Sequence, residues 1–205
     1  LYLPQKNSFI THHTGKIMKK LIALTIAATF SSVAIAAPET FMIEQNHTKP
    51  RFEYNHMGYS TQQSRFDTVT GTITIDRAAH TGKVDIAIDA TSVNTGSALF
   101  NGHIQGEDFF NTAQYPAITY QSDKMKFDGD KLVAVEGNLT IKGVTKPVTL
   151  TVTSFMCMPH PMMKKEACGA NATAKIKRSD FNMGKYAPLV GDEVTLTIPV
   201  ESIKQ

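Results

Sequence analysis

From Phe41 onward the chain alternates apolar and polar residues with a period of two, the spacing of strands with one face buried and one wet. Phe52, Tyr54 and His56 share one face, with Arg51, Glu53 and Asn55 opposite. A polar run from Gly58 to Ser64 reads as a turn, after which Val69, Ile73 and Ile75 alternate with Thr70, Thr72, Thr74 and Asp76. Ala79 to Gly82 makes the next turn, and Val84, Ile86 and Ile88 alternate with Asp85 and Asp89. The same pattern returns after Pro116 with Ile118 and Tyr120, then Met125 and Phe127. It continues in Val135, Leu139 and Ile141, in Val148, Leu150 and Val152, in Ala170, Ala172 and Ala174, and in Val194, Leu196, Ile198 and Val200. Asp128-Gly-Asp130 and Lys142-Gly143 are turn signals between these runs.

One long interruption breaks the alternation. The spacing predicts about two turns of helix over 97–104, followed by His103-Ile-Gln-Gly-Glu-Asp-Phe-Phe-Asn-Thr-Ala-Gln-Tyr-Pro116, in which Gly106 stops the helix and Pro116 hands the chain to another strand. Two phenylalanines beside Glu107 and Asp108 suit a short helix and turn over the mouth of a barrel. About eight strands, little helix and many threonines argue for an all-β antiparallel barrel or sandwich. At eight strands a barrel interior holds one small ligand or is filled by side chains, and periodicity does not separate these.

The first 36 residues stand apart. Met18-Lys-Lys20, the apolar run from Leu21 to Phe30 and Ala34-Ile-Ala36 form the n-region, h-region and cleavage site of a secretory signal peptide. We expect residues 1–17 to be an upstream extension or misassigned start, 18–36 the signal peptide, and 37–205 one exported domain. Removing Lys6, Lys16, Lys19 and Lys20, with no acid among them, takes the formal charge from +3 to −1. The mature chain therefore offers no basic surface that calls for nucleic acid.

No hydrolase elbow, phosphate loop, zinc-protease motif or dinucleotide fingerprint occurs, so the reading is not an enzyme, with no catalytic residue, metal or required cofactor. Cys157 and Cys168 follow the leader and meet an oxidising compartment, where a disulfide closing so short a loop stabilises by roughly 3 kcal/mol. Between and beside them, Met156, Met158, His160, Met162 and Met163 form, with the two thiolates, a soft donor set suited to Cu(I). A disulfide-stapled hairpin and a metal-handling or redox-sensing module are the two readings of this stretch. Lys142, Lys146 and Arg178 read as solvated surface, and His56 and His103 as core residues or anchors for a polar head group.

With these residues in view, the chain resembles the YceI-like family of periplasmic polyisoprenoid-binding proteins. The resemblance rests on Phe52-Glu-Tyr-Asn-His-Met-Gly-Tyr-Ser60, Arg65-Phe66 with Gly71-Thr-Ile-Thr-Ile-Asp76, Asp108-Phe-Phe-Asn-Thr-Ala-Gln-Tyr-Pro116, Gly137-Asn-Leu-Thr-Ile-Lys-Gly-Val-Thr-Lys-Pro-Val-Thr-Leu150, and Arg178-Ser-Asp-Phe181. It implies an extended, eight-stranded lipocalin-like barrel whose channel holds an isoprenoid quinone or polyprenyl lipid. Carried over by facing, the lipid-binding candidates are Phe52, Tyr54, His56, Val84, Ile86, Ile88, His103, Phe109, Phe110, Tyr115, Ile118, Tyr120, Leu139, Ile141, Leu150, Phe181 and Leu196. Gln105 stands where relatives carry a basic residue, which disfavours a phosphorylated head group. An inner-membrane protein and a second copy of the chain, as a homodimer, are the candidate partners beside the lipid.

Overall fold

The computed structural model describes residues 37–205, so the leader expected before Ala37 lies outside the described residues. Eleven strands form one antiparallel sheet: β1 (Glu39–Ile43), β2 (Arg51–His56), β3 (Ser60–Phe66), β4 (Val69–Asp76), β5 (Thr81–Asp89), β6 (Val93–Asn94), β7 (Ala117–Asp128), β8 (Lys131–Ile141), β9 (Val144–Pro159), β10 (Glu166–Lys177) and β11 (Val190–Lys204). The first six lie end to end in pairs, which leaves a closed barrel of eight staves. Along one edge of β11, β1 pairs with its last residues (Phe41 with Lys204) and β2 with its first (Tyr54 with Val194). In the same way β4 pairs with β1 while β3 pairs with β2, and β5 pairs with β4 while β6 pairs with β3. The β1–β11 contact shuts the sheet on itself and removes the free edge there.

Each break has a local cause. Between β1 and β2, Pro50 has no N–H to give a ladder, and the chain loops out through 44–50. At Asp67 the backbone N–H turns to Ser92, whose hydroxyl also accepts from Thr68 N–H. The polar run read as a turn from Gly58 to Ser64 is a correction: the turn is confined to Met57, Gly58 and Tyr59, and Ser60 onward is strand. Ser60 to Gln63 face water, so no apolar alternation marks them, and their pairing with β2 is made by the backbone ladder with one side-chain bond, from Gln63 to Glu53 at 2.6 Å.

The predicted helix forms as α1 (Ala98–Gln105), with the Ser97 hydroxyl accepting from Phe100 N–H at its start. Residues 57–59, 90–116, 142–143 and 178–189 gather at one end of the barrel, hereafter the helix end. The β4–β5, β7–β8 and β9–β10 turns close the other end. Cys157 and Cys168 sit directly opposite each other on β9 and β10 near that second end and are joined by a disulfide.

Candidate ligand cavity

Because inward residues recur every second position on every stave, the barrel's inner face is a continuous apolar wall. It is not filled: a cavity of about 400 Å³ runs inside it, within the roughly 300–1,000 Å³ span of small-molecule sites. All the residues carried over by facing lie on its wall except Tyr115 and Phe181. The Tyr115 ring instead covers Gly143 in the β8–β9 turn, where a Cβ would stand 2.8 Å from it. Phe181 is 1% exposed and packs in the apolar cluster around the cavity. Both lie in non-periodic segments, where facing is not readable from sequence.

The aromatic stretch after α1 closes the helix end. Phe110 meets Phe52 and Phe66 edge-on, with ring centroids 5.9 and 5.4 Å apart. Phe109 lies 5.1 Å from the His103 ring, and His103 stacks on Phe100 at 5.6 Å. Successive turns hold the segment: Phe110 N–H donates to Ile104 O and Tyr115 N–H to Asn111 O. Lys142 Nζ reaches across to Glu107 O at 2.7 Å and Asn182 O at 3.0 Å, and Lys185 pairs with Asp108. Gln105 donates its side-chain N–H to Thr91 O at 2.9 Å, anchoring the helix rather than facing the cavity wall.

Arg178 overturns its reading as solvated surface. It is 6% exposed, lines the cavity, and donates to the carbonyls of Gly191, Lys185 and Val190 at 2.9, 2.7 and 2.7 Å, and to Met183 O. Burial pushes its guanidinium pKa down, and Asp192 acts against that shift. The sequence signal was a lone basic residue at a strand end, which gives no sign that the following connection wraps it in carbonyls.

Polarity along the wall is uneven. The hydroxyls of Thr48, Tyr120 and Ser202 each donate to backbone carbonyls. Tyr120, whose ring lies along the wall over Gly137 of the adjacent strand, is held un-ionised by burial, which pushes its pKa up. Ile73 and Ile75 on β4, Val135 on β8 and Phe155 on β9 also line the cavity; the first three were legible in the alternation, whereas Met183 and Tyr186 belong to an irregular connection.

At the disulfide end, Met156, Met158, Met162 and Met163 are exposed. The disulfide takes both sulfurs out of the soft donor set, and His160 Nδ1 accepts from the N–H groups of Met162 and Met163. The stapled hairpin is therefore the form the structure shows.

A barrel with this wall matches the YceI-like domain model over residues 41–202. The chain belongs to the YceI-like family. It is 37% identical to Protein YceI of Escherichia coli O157:H7 over 190 residues, which cover 91% of this chain and 98% of that protein. Among solved structures, BcnA of Burkholderia cenocepacia is 26% identical with a TM-score of 0.65, covering 78% of this chain and 98% of its own. A polyisoprenoid binding domain from Saccharophagus degradans is 19% identical with a TM-score of 0.59, covering 80% and 98%; at that identity the likeness concerns the fold. The YceI-like match begins at Phe41 and ends at Ser202, which are the ends of the closed barrel where β1 meets β11.

Proposed function

We propose that this protein is a non-enzymatic periplasmic binding protein that carries or stores an isoprenoid-tailed lipid, of the quinone or polyprenol kind, inside its barrel. The observation that carries the reading is the cavity: about 400 Å³ of space walled by hydrocarbon on all eight staves of a domain that could have been filled by side chains. Enclosing a chain there contributes roughly 0.8 kcal/mol for each buried CH₂, before the cost of ordering it. Binding by the tail follows, with the walls indifferent to the exact length of the chain.

Membership of the YceI-like family and the likeness to a solved polyisoprenoid binding domain support this cargo. The disulfide supports an oxidising compartment, in keeping with the leader read in the sequence.

Native mass spectrometry of the mature protein from its own periplasm, followed by denaturing extraction, tests the reading. A co-purified isoprenoid quinone or polyprenol at near one per chain is expected. Repeated recovery of empty protein that takes up no added isoprenoid would overturn it.

A further inference from the structure

The cavity wall carries two kinds of polar group, and they are not mixed. Toward the disulfide end and the middle, the Thr48, Tyr120 and Ser202 hydroxyls are engaged by the protein's own carbonyls. Arg51 is exposed beside the break between β1 and β2. The wall residues Tyr54, His56, His103, Tyr186 and Arg178 all lie toward the helix end. No described residue hydrogen-bonds the Tyr54 hydroxyl, and it is reached by solvent, since every sealed side-chain polar atom in the described residues has a partner. His56 pairs with Val190, whose carbonyl holds Arg178, Asn55 lies against Gly191, and Tyr54 follows opposite Val194, so Tyr54 and Arg178 line the same end of the cavity.

Counting donors narrows what this corner accepts. A guanidinium has five N–H groups. Four of the five on Arg178 go to Gly191, Met183, Lys185 and Val190, which leaves one, on Nη2. No carboxylate of the described residues lies within ion-pair distance of it. Tyr54 adds a phenol that burial keeps protonated against the pull of the nearby Arg178 charge.

We infer that Tyr54 and Arg178 form a head-group site at the helix end which takes a single neutral oxygen, the carbonyl of a quinone or the hydroxyl of a prenol, and so orients the lipid with its tail toward the disulfide. The inference rests on the carrier reading above and deepens it. Two donors match one oxygen with two lone pairs. A phosphate brings three oxygens and a charge that four backbone carbonyls around the guanidinium oppose. The apolar remainder of the wall, including Ile75, Val84, Met125 and Val200, gives a polar head nothing to bond to, and Arg51, also on the wall, is exposed to solvent at the break between β1 and β2.

Three probes with the same terpene tail separate the outcomes: farnesol, farnesene, which lacks the oxygen, and farnesyl phosphate. Each is titrated into lipid-stripped wild type and into Tyr54→Phe, whose fold is checked by thermal unfolding. Wild type is expected to prefer farnesol over farnesene by about tenfold, and Tyr54→Phe to lose about three- to tenfold on farnesol while leaving farnesene unchanged. Equal affinities of wild type for farnesol and farnesene, or equal losses on both in the variant, would overturn the head-group site and leave the carrier standing. Farnesyl phosphate binding more tightly than farnesol would overturn the assignment of a neutral oxygen. Binding of none of the three would sink both readings. For Arg178, whose removal exposes four carbonyls and endangers the fold, Arg178→Lys is the second variant: if it folds, it should lose farnesol affinity but keep farnesene affinity, and an unchanged farnesol affinity would remove Arg178 from the site.

Discussion

Thr48 stands in for a missing strand beside Glu201. Its hydroxyl accepts from Glu201 N–H at 2.9 Å and donates to Glu201 O at 3.0 Å, at the point where the β1–β2 stave loops away from β11. The side chain is 2% exposed, so water does not replace it. Barrel closure thus continues across the break through this hydroxyl and the Glu44 N–H, which also donates to Glu201 O at 2.9 Å. Thr48→Val keeps the volume and strands a buried N–H, and we expect it to lower unfolding free energy by about 1–3 kcal/mol in urea, with Thr48→Ser retaining most of the stability.

Two glycines predict opposite signs for one substitution. The Tyr120 ring lies over Gly137, where a Cβ would stand 2.6 Å from both Tyr120 Cζ and the Gln121 carbonyl oxygen. Backbone cannot withdraw cheaply, so Gly137→Ala should destabilise by about 1–3 kcal/mol or more. Gly102 sits in α1 with nothing within 4 Å of the added carbon. Gly102→Ala should therefore stabilise by about 0.5–1 kcal/mol through helix propensity. Paired melting curves read both, and a loss of stability at position 102 would contradict the open surface described for it.

A charged cluster latches the seam where β1 meets β11. Lys204 Nζ donates to Glu39 at 2.5 Å, while Arg77 bonds Glu39 and pairs with Glu166 at 2.8 Å. The Lys204 hydrogen bond, with Arg77 adding to it against desolvation, holds the Glu39 carboxyl below its ordinary value. A carboxylate lowered on folding stabilises above its unfolded pKa, and that stabilisation is lost as the pH falls through the lowered value, below about 4.3. Glu39→Gln should accordingly be less stable than wild type at pH 7, and the gap should close on acidification through that window. A gap that persists unchanged at pH 2 would show the effect to be packing rather than charge.

Ile86 on β5 faces the cavity opposite Gly71 and Tyr120 on its neighbouring strands. Ile86→Asp puts a carboxylate into hydrocarbon, which costs several kcal/mol unless it is protonated. In a folded variant, retention of bound lipid should fall to background by mass spectrometry of extracts. Undiminished retention would show that the inner face of β5 is not the lipid channel.

Taken alone, the sequence determined the strand runs and their inward faces, because period two is a local consequence of backbone geometry. It also determined α1, through Ser97 and the end of alternation, and most of the cavity wall, since Phe52, Ile86 and Leu139 face inward by parity alone. Tertiary structure decided the rest. Whether that wall met itself or enclosed space depended on how eight staves close, which no local pattern records. Ser60 to Gln63 became strand only because β2 offered a backbone to pair with. Arg178 went inside because the 183–191 connection folded four carbonyls around its charge, and Thr48 became part of the seam because Glu201, distant in sequence, arrived beside it. Hydrogen bonds between residues far apart in the chain leave no period, so these features were illegible until the barrel closed.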